Sequence, residues 1–201
     1  MAGFKTKVTP EIEKLTDICR DNTSLDLSLY AKYDVKRGLR DINGKGVLAG
    51  LTQVSNVQAT KMVDGKEVPC AGKLSYRGYD IKDLTKGFIQ DDRYGFEEVA
   101  YLLLFGKLPD KQQLMDFTEL LANQRSLPTN FVRDVIMKAP SKDIMNGLSR
   151  SVLTLYSYDH NPDDTSLPNV LRQCLNLISV FPLLSVYGYQ AYNHYVKGKS
   201  L

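Results

Sequence analysis

The sequence is poor in the residues from which metal sites and nucleophilic triads are built. Two histidines and three cysteines occur in 201 residues, namely His160, His194, Cys19, Cys70 and Cys174. The odd number and wide spacing of the cysteines argue against a disulfide framework and a zinc site, and favour a reducing, cytoplasmic compartment. Neither histidine has a metal-ligand companion four residues away, and no Gly-x-Ser-x-Gly motif is present. Residue types alone therefore predict no catalytic, cofactor-binding or metal-binding residue.

The sequence also lacks a strong excess of either charge. Its 26 Lys and Arg residues nearly balance 23 Asp and Glu residues, which gives a net charge of +3. That excess is too small to indicate a nucleic-acid partner. The basic side chains form one cluster, at Lys36, Arg37, Arg40 and Lys45. We interpret this cluster as a solvated loop, with a site for an anionic ligand as the alternative.

One long segment near the C-terminus lacks formal charge altogether. No side chain between Gln173 and Val196 is formally charged, and residues 177–196 reach the length of about 20 residues that a bilayer span takes. Polar residues such as Ser179 and His194 interrupt it, and they would be costly in lipid. We therefore predict a helix buried inside protein and no membrane partner.

Turn signals and helix caps divide the chain into three regions. The first, 1–34, is predicted to be a helical segment in which Thr9 caps a helix that begins at Pro10. The second, 35–79, is rich in glycine and β-branched residues, which predicts β ribbons and loops. The third, 80–201, has helical periodicity. We expect a mainly α fold, as one incomplete domain with a small β ribbon element.

The β region contains two strong turn signals. Asn43-Gly44 and Asp64-Gly65 are dipeptides typical of tight hairpin turns. Short strands are predicted over 47–54, 57–63 and 73–76.

The third region is predicted to be a series of capped helices. They are expected over 80–86, 96–105, 110–126, 129–138, 142–158 and 168–197. The predicted N-caps are Asp80, Asp110 in a capping box with Gln113, and Ser141. Gly106 and Gly198 are the predicted left-handed stops, and Pro182 is expected to kink the last helix. The run 159–164 is predicted to be a polar loop.

The order of several tracts resembles one known family. Residues 72–81, Gly-Lys-Leu-Ser-Tyr-Arg-Gly-Tyr-Asp-Ile, resemble the Arg-Gly-Tyr segment of citrate synthases. Residues 96–109, Phe-Glu-Glu-Val-Ala-Tyr-Leu-Leu-Leu-Phe-Gly-Lys-Leu-Pro, are similar to the helix that follows it in that family. Four further tracts support the resemblance. Residues 34–57 resemble a bacterial branch of the family, and residues 125–128, 149–159 and 177–190 resemble later parts of it. The tract from 72 to 109 is specific, and the resemblance covers nearly the whole chain from Lys32 onward.

The resemblance implies the large domain of an acyltransferase of the tricarboxylic acid cycle, which condenses acetyl-CoA with oxaloacetate to give citrate and CoA. In the family a carboxylate removes an α-proton of the thioester and a histidine stabilises the enol. Those groups belong to motifs that follow the matched segment, among them Gly-Pro-x-His-Gly, and this sequence does not contain them. His160 and His194 match no catalytic motif, and Arg37 and Arg77 lie in family-like segments without an assignable role.

From these observations we expect that the chain is an N-terminal fragment of the large domain of a citrate synthase. We expect it to be inactive alone, to bind no cofactor, and to belong to an enzyme whose substrates are a coenzyme A thioester and oxaloacetate. A 2-methylcitrate synthase that uses propionyl-CoA and a non-catalytic helical interaction module are the alternatives.

The apolar helix at 168–197 also predicts association. Apolar residues lie on nearly every face of this helix, and such a helix has to be buried. We therefore expect a homodimer or a larger assembly with this helix at or near the interface. The alternative is that the helices at 96–105, 110–126 and 142–158 wrap it completely within one chain.

Overall fold

The structure is a computed structural model, and it describes residues 10, 26, 28–33, 35, 38–41, 43–47 and 52–200. The chain divides into two compact units, Met1–Thr52 and Gln53–Leu201. The helix predicted to begin at Thr9 and Pro10 falls, apart from Pro10, outside the described residues.

The first unit contains a short helix and a tight turn in its described part. Helix α1, Ser28–Lys32, begins where the Ser28 amide donates to Asp26 Oδ1 at 2.9 Å. The turn predicted at Asn43-Gly44 is confirmed, because an isolated antiparallel bridge joins Arg40 to Gly46 across it. Gly44 has a φ of 82°, a conformation that glycine adopts without steric cost.

A strand was expected over 47–54, and much of that range lies outside the described residues. Val47 and residues 52–54 are described, and they are not in a strand.

A small antiparallel sheet opens the second unit. Its strands, in the order β1-β2-β3, are β1 Ser55–Val63, β2 Lys66–Tyr76 and β3 Tyr79–Asp80. Asp64 and Gly65, with φ values of 50° and 74°, form the turn between β1 and β2, as the dipeptide predicts. The strand predicted over 57–63 is confirmed.

The third predicted strand, 73–76, is only the end of β2. Pairing with β1 extends β2 back to Lys66, past a register shift between Gln58 and Thr60. Pro69 pairs with Thr60 beside this irregularity, and proline in a sheet is confined to edges and bulges. Because a proline within a run of residues argues against a strand, the sequence pattern did not predict the full length of β2.

Helices make up the rest of the second unit. They are α2 Ile81–Gln90, α3 Phe96–Phe105, α4 Lys111–Asn123, α5 Ile144–Leu155 and α6 Leu167–Lys197, with a π-helical segment at Val132–Met137 and a 3₁₀ turn at Tyr156–Tyr158. Within 96–197, all of which is described, there is no strand. The predicted mainly α class is confirmed.

Most of the predicted helix caps are present. Asp80 accepts a hydrogen bond from the Lys82 amide at 2.9 Å at the start of α2. Asp110 and Gln113 form the reciprocal capping box at the start of α4. Gly106 and Gly198 end α3 and α6 in the left-handed conformation, with φ values of 79° and 66°.

Two predicted helices differ in detail. The helix expected over 129–138 is the π-helical segment Val132–Met137. The cap expected at Ser141 is wrong, because Asp143 accepts from the Asn146 amide at 3.0 Å and starts α5 two residues later. Ser141 Oγ accepts from the Asp143 amide at 3.1 Å, so it organises the turn that precedes the helix.

Helix α6 contributes to both apolar clusters of the second unit. Val180, Leu184 and Ala191 pack with Phe131 and Ile136 in the first cluster. Leu175, one turn nearer the start of α6, packs with two residues of α4 in the second, Phe117 and Leu121.

Helix α6 is covered only in part within this chain. Its buried residues include Ser179, Val180 and Leu184, whereas Phe181, Val186 and Tyr189 are exposed. For the described residues, the alternative that this chain wraps the helix completely is therefore wrong. By length and composition α6 could cross a membrane, and 22% of its most apolar window is buried inside the protein. Pro182 lies inside the helix, and the kink there stays a prediction.

Candidate functional site

A groove of about 720 Å³ lies where the end of α5 meets the first half of α6. Its walls are the connection 126–128, the 3₁₀ turn, the loop 159–162 and α6 from Arg172 to Val180. We call it the α5–α6 groove. Leu155, Leu177 and Val180 give it an apolar lining, and His160, Arg172 and Asn176 give it polar groups. Apolar walls with a few polar groups are typical of small-molecule sites.

Asp159 contributes a carboxylate to the lining of this groove. Its carboxylate accepts from Arg172 Nη2 at 2.8 and 2.7 Å, from Gln173 Nε2 at 3.3 Å and from the Asn161 amide at 3.0 Å. These hydrogen bonds, first of all that from Arg172, lower the pKa of Asp159 to about 2. The carboxylate is therefore ionised at neutral pH and cannot serve as a proton donor there.

Asn169 ties the loop to the first turn of α6. Its Nδ2 donates to the carbonyl oxygens of Asn161, at 2.9 Å, and Asp164, at 2.7 Å. Its Oδ1 accepts from Arg172 Nε at 2.9 Å and from Nη2 at 2.8 Å. The side chains of this network satisfy one another, which is typical of a buried structural network.

The sequence pattern predicts only a polar loop here and does not indicate this network. The partners are 13 residues apart along the chain, so their contact depends on tertiary packing. The available local signal was the repeated Asx pattern of Asp159 and Asp164, each of which accepts from an amide two residues on, at 3.0 and 2.9 Å.

The two histidines do not share a site. His160 lies at the groove, next to the loop that Asn169 holds. His194 lies near the other end of α6, where its Nδ1 is 2.9 Å from the carbonyl oxygen of Lys199. At about 1.5 Å per helical residue, the intervening part of α6 separates them by roughly 35 Å. Among the residues that the structure describes, neither histidine meets a partner that would make it a general base.

Arg77 is held by the end of a helix. Its Nη2 and Nε donate to the carbonyl oxygen of Leu103 at 2.9 and 3.3 Å. In the predicted basic cluster, Arg40 Nη1 donates to the Gly44 carbonyl oxygen at 3.0 Å and so folds back onto its own loop. Lys36 and Arg37 lie outside the described residues.

No group of three or more His, Cys, Asp or Glu side chains that could hold a metal ion occurs among the described residues. Cys70 and Cys174 are free thiols.

Comparison with known proteins shows which family shares the sequence and fold of this chain. The family model for "Citrate synthase, C-terminal domain" matches residues 39–200. The structure is similar to that of a citrate synthase from Thermoplasma acidophilum in a ternary complex with carboxymethyl coenzyme A and oxaloacetate, at TM-score 0.60 and 21% identity over 78% of this chain and 36% of that one. A citrate synthase structure from Pyrobaculum aerophilum gives TM-score 0.58 and 24% identity over the same shares, 78% and 36%.

Curated relatives point to the same family. A 2-methylcitrate synthase from Corynebacterium glutamicum is 27% identical over 75% of this chain and 34% of its own length. A citrate synthase from Saccharolobus solfataricus is 31% identical over 58% of this chain and 28% of its own length. The chain thus spans about a third of the length of the relatives that it matches.

The mainly helical fold is thus that of solved citrate synthases. Because the family model covers most of the sequence, the chain belongs to the citrate synthase family.

Proposed function

We propose that this chain is the N-terminal part of a citrate synthase, an enzyme that condenses acetyl-CoA with oxaloacetate. The family match over residues 39–200 carries this proposal. The ternary complex of the similar Thermoplasma protein supports the two substrates, since its ligands are a coenzyme A derivative and oxaloacetate. In the reaction a base removes an α-proton of the thioester, and the resulting enol attacks the ketone carbon of oxaloacetate. Hydrolysis of the thioester then releases CoA.

A 2-methylcitrate synthase is the second candidate. A specific observation favours it, because several of the curated relatives carry that name. Such an enzyme would accept propionyl-CoA in place of acetyl-CoA, which adds one methylene to the acyl group. A hydrophobic pocket discriminates one methylene by about 10- to 200-fold.

The experiment compares the two donors on the longest open reading frame that contains this sequence. Release of CoA is measured with oxaloacetate and either acetyl-CoA or propionyl-CoA, at matched concentrations. A kcat/KM that favours acetyl-CoA supports the citrate synthase, and one that favours propionyl-CoA supports the second candidate. Absence of CoA release with both donors would contradict both and favour a non-catalytic interaction module.

We propose further that a second copy of the chain covers the exposed apolar face of α5 and α6. On α5, Met145 and Leu153 are 69% and 74% exposed, and both lie on one side of the helix at a spacing of eight residues. On the neighbouring α6, Val186 is 57% exposed, between the exposed Phe181 and Tyr189. Large exposed apolar surfaces mark association sites in soluble proteins. The proposed assembly is a symmetric dimer or a multiple of it.

Light scattering over a dilution series tests this association. The unmodified chain should show a mass of at least two copies at tens of micromolar, and Leu153→Glu with Val186→Glu should shift it to one. Lys142→Glu, an exposed change at the start of the same region, is the control and should leave the mass unchanged. A monomer at every concentration would contradict the proposal.

The free thiols of Cys70 and Cys174 support a cytoplasmic location for the protein, which cell fractionation would test.

A further inference from the structure

The ribbon formed by β1 and β2 stands away from the helices over most of its length. All nine residues of β1 are exposed, and Val57 and Met62 are 75% and 67% exposed. In β2 the three residues at the base, Leu74–Tyr76, are half-buried, and so are Val68 and Cys70 farther from the base. An isolated two-stranded hairpin is marginally stable in water. Something at the base must therefore hold this ribbon in place.

At the base, β2 pairs with β3 through Ser75 with Asp80 and Tyr76 with Tyr79, and Lys73 Nζ lies 3.9 Å from Oδ2 of Asp80, the N-cap residue of α2. A cleft of about 510 Å³ separates the ribbon from the first turn of α2, with Val57 and Leu74 on one side and Ile81 and Lys82 on the other.

The turn at the ribbon base has an unusual backbone. Arg77 and Gly78, which join β2 to β3, have φ values of 48° and 91°. Two left-handed residues make the turn type that suits hairpins, and asparagine followed by glycine is the favoured pair there. Arginine is uncommon at such a position. Its presence needs a reason outside the turn itself.

The side chain of Arg77 supplies that reason. Its guanidinium reaches 26 residues along the chain and donates two hydrogen bonds to the carbonyl oxygen of Leu103, at 2.9 and 3.3 Å. Leu103 is in the last turn of α3, where carbonyl groups lack helical partners and a positive charge is favoured. Gly106, which ends α3, lies beside it, because a Cβ there would be 4.0 Å from Arg77 Cζ.

We propose that Arg77 is a latch that fastens the ribbon to the C-terminal end of α3, and that this latch, in addition to the pairing of β2 with β3, sets the position of the ribbon over the cleft. The ribbon is then an arm that pivots about the turn at Arg77 and Gly78. When the latch opens, the arm is free to move relative to α2 and α3 while both helices stay folded.

Arg77→Asn in the full chain separates the latch from the turn. It creates Asn-Gly, which favours the turn, and it removes the guanidinium. Hydrogen exchange followed by mass spectrometry then reports each segment separately. We expect exchange to become at least tenfold faster in the ribbon base and the last turn of α3, with α5 and α6 unchanged. Arg125→Asn, which removes an exposed arginine in another connection, is the matched control and should leave all segments unchanged.

Two results would overturn the proposal. Unchanged exchange at the ribbon base and α3 would show that Arg77 does not hold the arm, and an equal acceleration in every segment would show a general loss of stability instead. Arg77→Lys keeps the charge and loses the two-pronged contact. It should give an acceleration between the unmodified chain and Arg77→Asn, and exchange equal to that of Arg77→Asn or faster would count against the hydrogen-bonded latch.

Discussion

Gly95 shows how a single methyl group can act on the packing of this chain. It precedes α3 as its N-cap residue, and a Cβ there would lie 2.2 Å from Phe88 Cδ1. Because the ring cannot remain where it is, Gly95→Ala should lower the free energy of unfolding by about 1–3 kcal/mol. Urea unfolding at neutral pH measures the change.

Gly87 provides the contrast for that experiment. It lies inside α2, and a Cβ there would meet no atom within 4 Å. Gly87→Ala should therefore raise the free energy of unfolding by about 0.4–1 kcal/mol, since alanine restricts the unfolded chain. Destabilisation by Gly87→Ala, or a neutral Gly95→Ala, would contradict this account of the two sites.

Sequence reasoning found the side chains that act locally and missed those that act across the fold. Asp80, Asp110 and Gly106 were predicted because a cap requires only its neighbours in sequence. The pairing of Asp159 with Arg172 depends on how the loop folds against α6, and no spacing rule indicates it. The role of Arg77 was missed for the same reason, because Leu103 is distant in sequence.

Asp159 makes stability depend on pH. Its pKa in the folded protein is about 2, below the value of about 3.9 for an unperturbed aspartate. A lowered pKa adds stability above about pH 4, and that stability is lost as the pH falls through 2. Asp159→Asn should therefore destabilise the chain at pH 7, and its difference from the unmodified chain should shrink between pH 4 and 2.

Unfolding titrations at pH 7 and at about pH 2.5 test this dependence. Asp116→Asn is the control, because the hydrogen bond of Asp116 with Gln112 stays within α4. Its effect at pH 7 should be smaller than that of Asp159→Asn. A difference for Asp159→Asn that is equally large at both pH values would rule out the charge of Asp159 as its cause.

At the scale of elements, a reciprocal capping box fixes the start of α4. The Asp110 carboxylate accepts from the Gln113 amide at 2.9 Å, and Gln113 Oε1 accepts from the Asp110 amide at 3.0 Å. Asp110→Ala should lower the free energy of unfolding by about 1 kcal/mol. Thermal unfolding measures it, and Asp110→Ser, which restores a capping oxygen, should recover most of the loss. Equal effects of both changes would mean that the cap contributes nothing.

The elements that sequence reasoning described least well are those whose form depends on neighbours. Residues 132–137 have helical periodicity, which does not distinguish an α-helix from the π-helix observed. Phe131 at its start and Ile136 within it are both buried in the first apolar cluster, so tertiary packing acts on this short segment. The length of β2 depends in the same way on its partner β1.

At the scale of the whole chain, the prediction concerns catalytic activity. We expect no oxaloacetate-dependent release of CoA from this chain alone. The motifs that carry the catalytic groups in the family are not in the sequence, and the two histidines stand roughly 35 Å apart along α6. Loss of positioned acid and base groups costs on the order of 10²–10⁴ in rate.

A thiol reagent that detects free CoA measures the reaction, with an intact citrate synthase as the positive control. Turnover comparable to that control would contradict the expectation. It would also assign a catalytic role to His160 or His194, which single alanine changes at each would then separate.

Helix α6 has a consequence for how the second unit unfolds. With 31 residues it is about 46 Å long, and it contributes side chains to both apolar clusters. Neither cluster can lose its part of α6 without exposing backbone and apolar surface that the other half of the helix helps to keep ordered. We therefore expect the two clusters to melt as one cooperative unit, and a cavity created at Leu121 in one cluster to lower the transition temperature of the other as well. Heat should reveal a single transition for the helical body, because one continuous helix is shared by both of its cores.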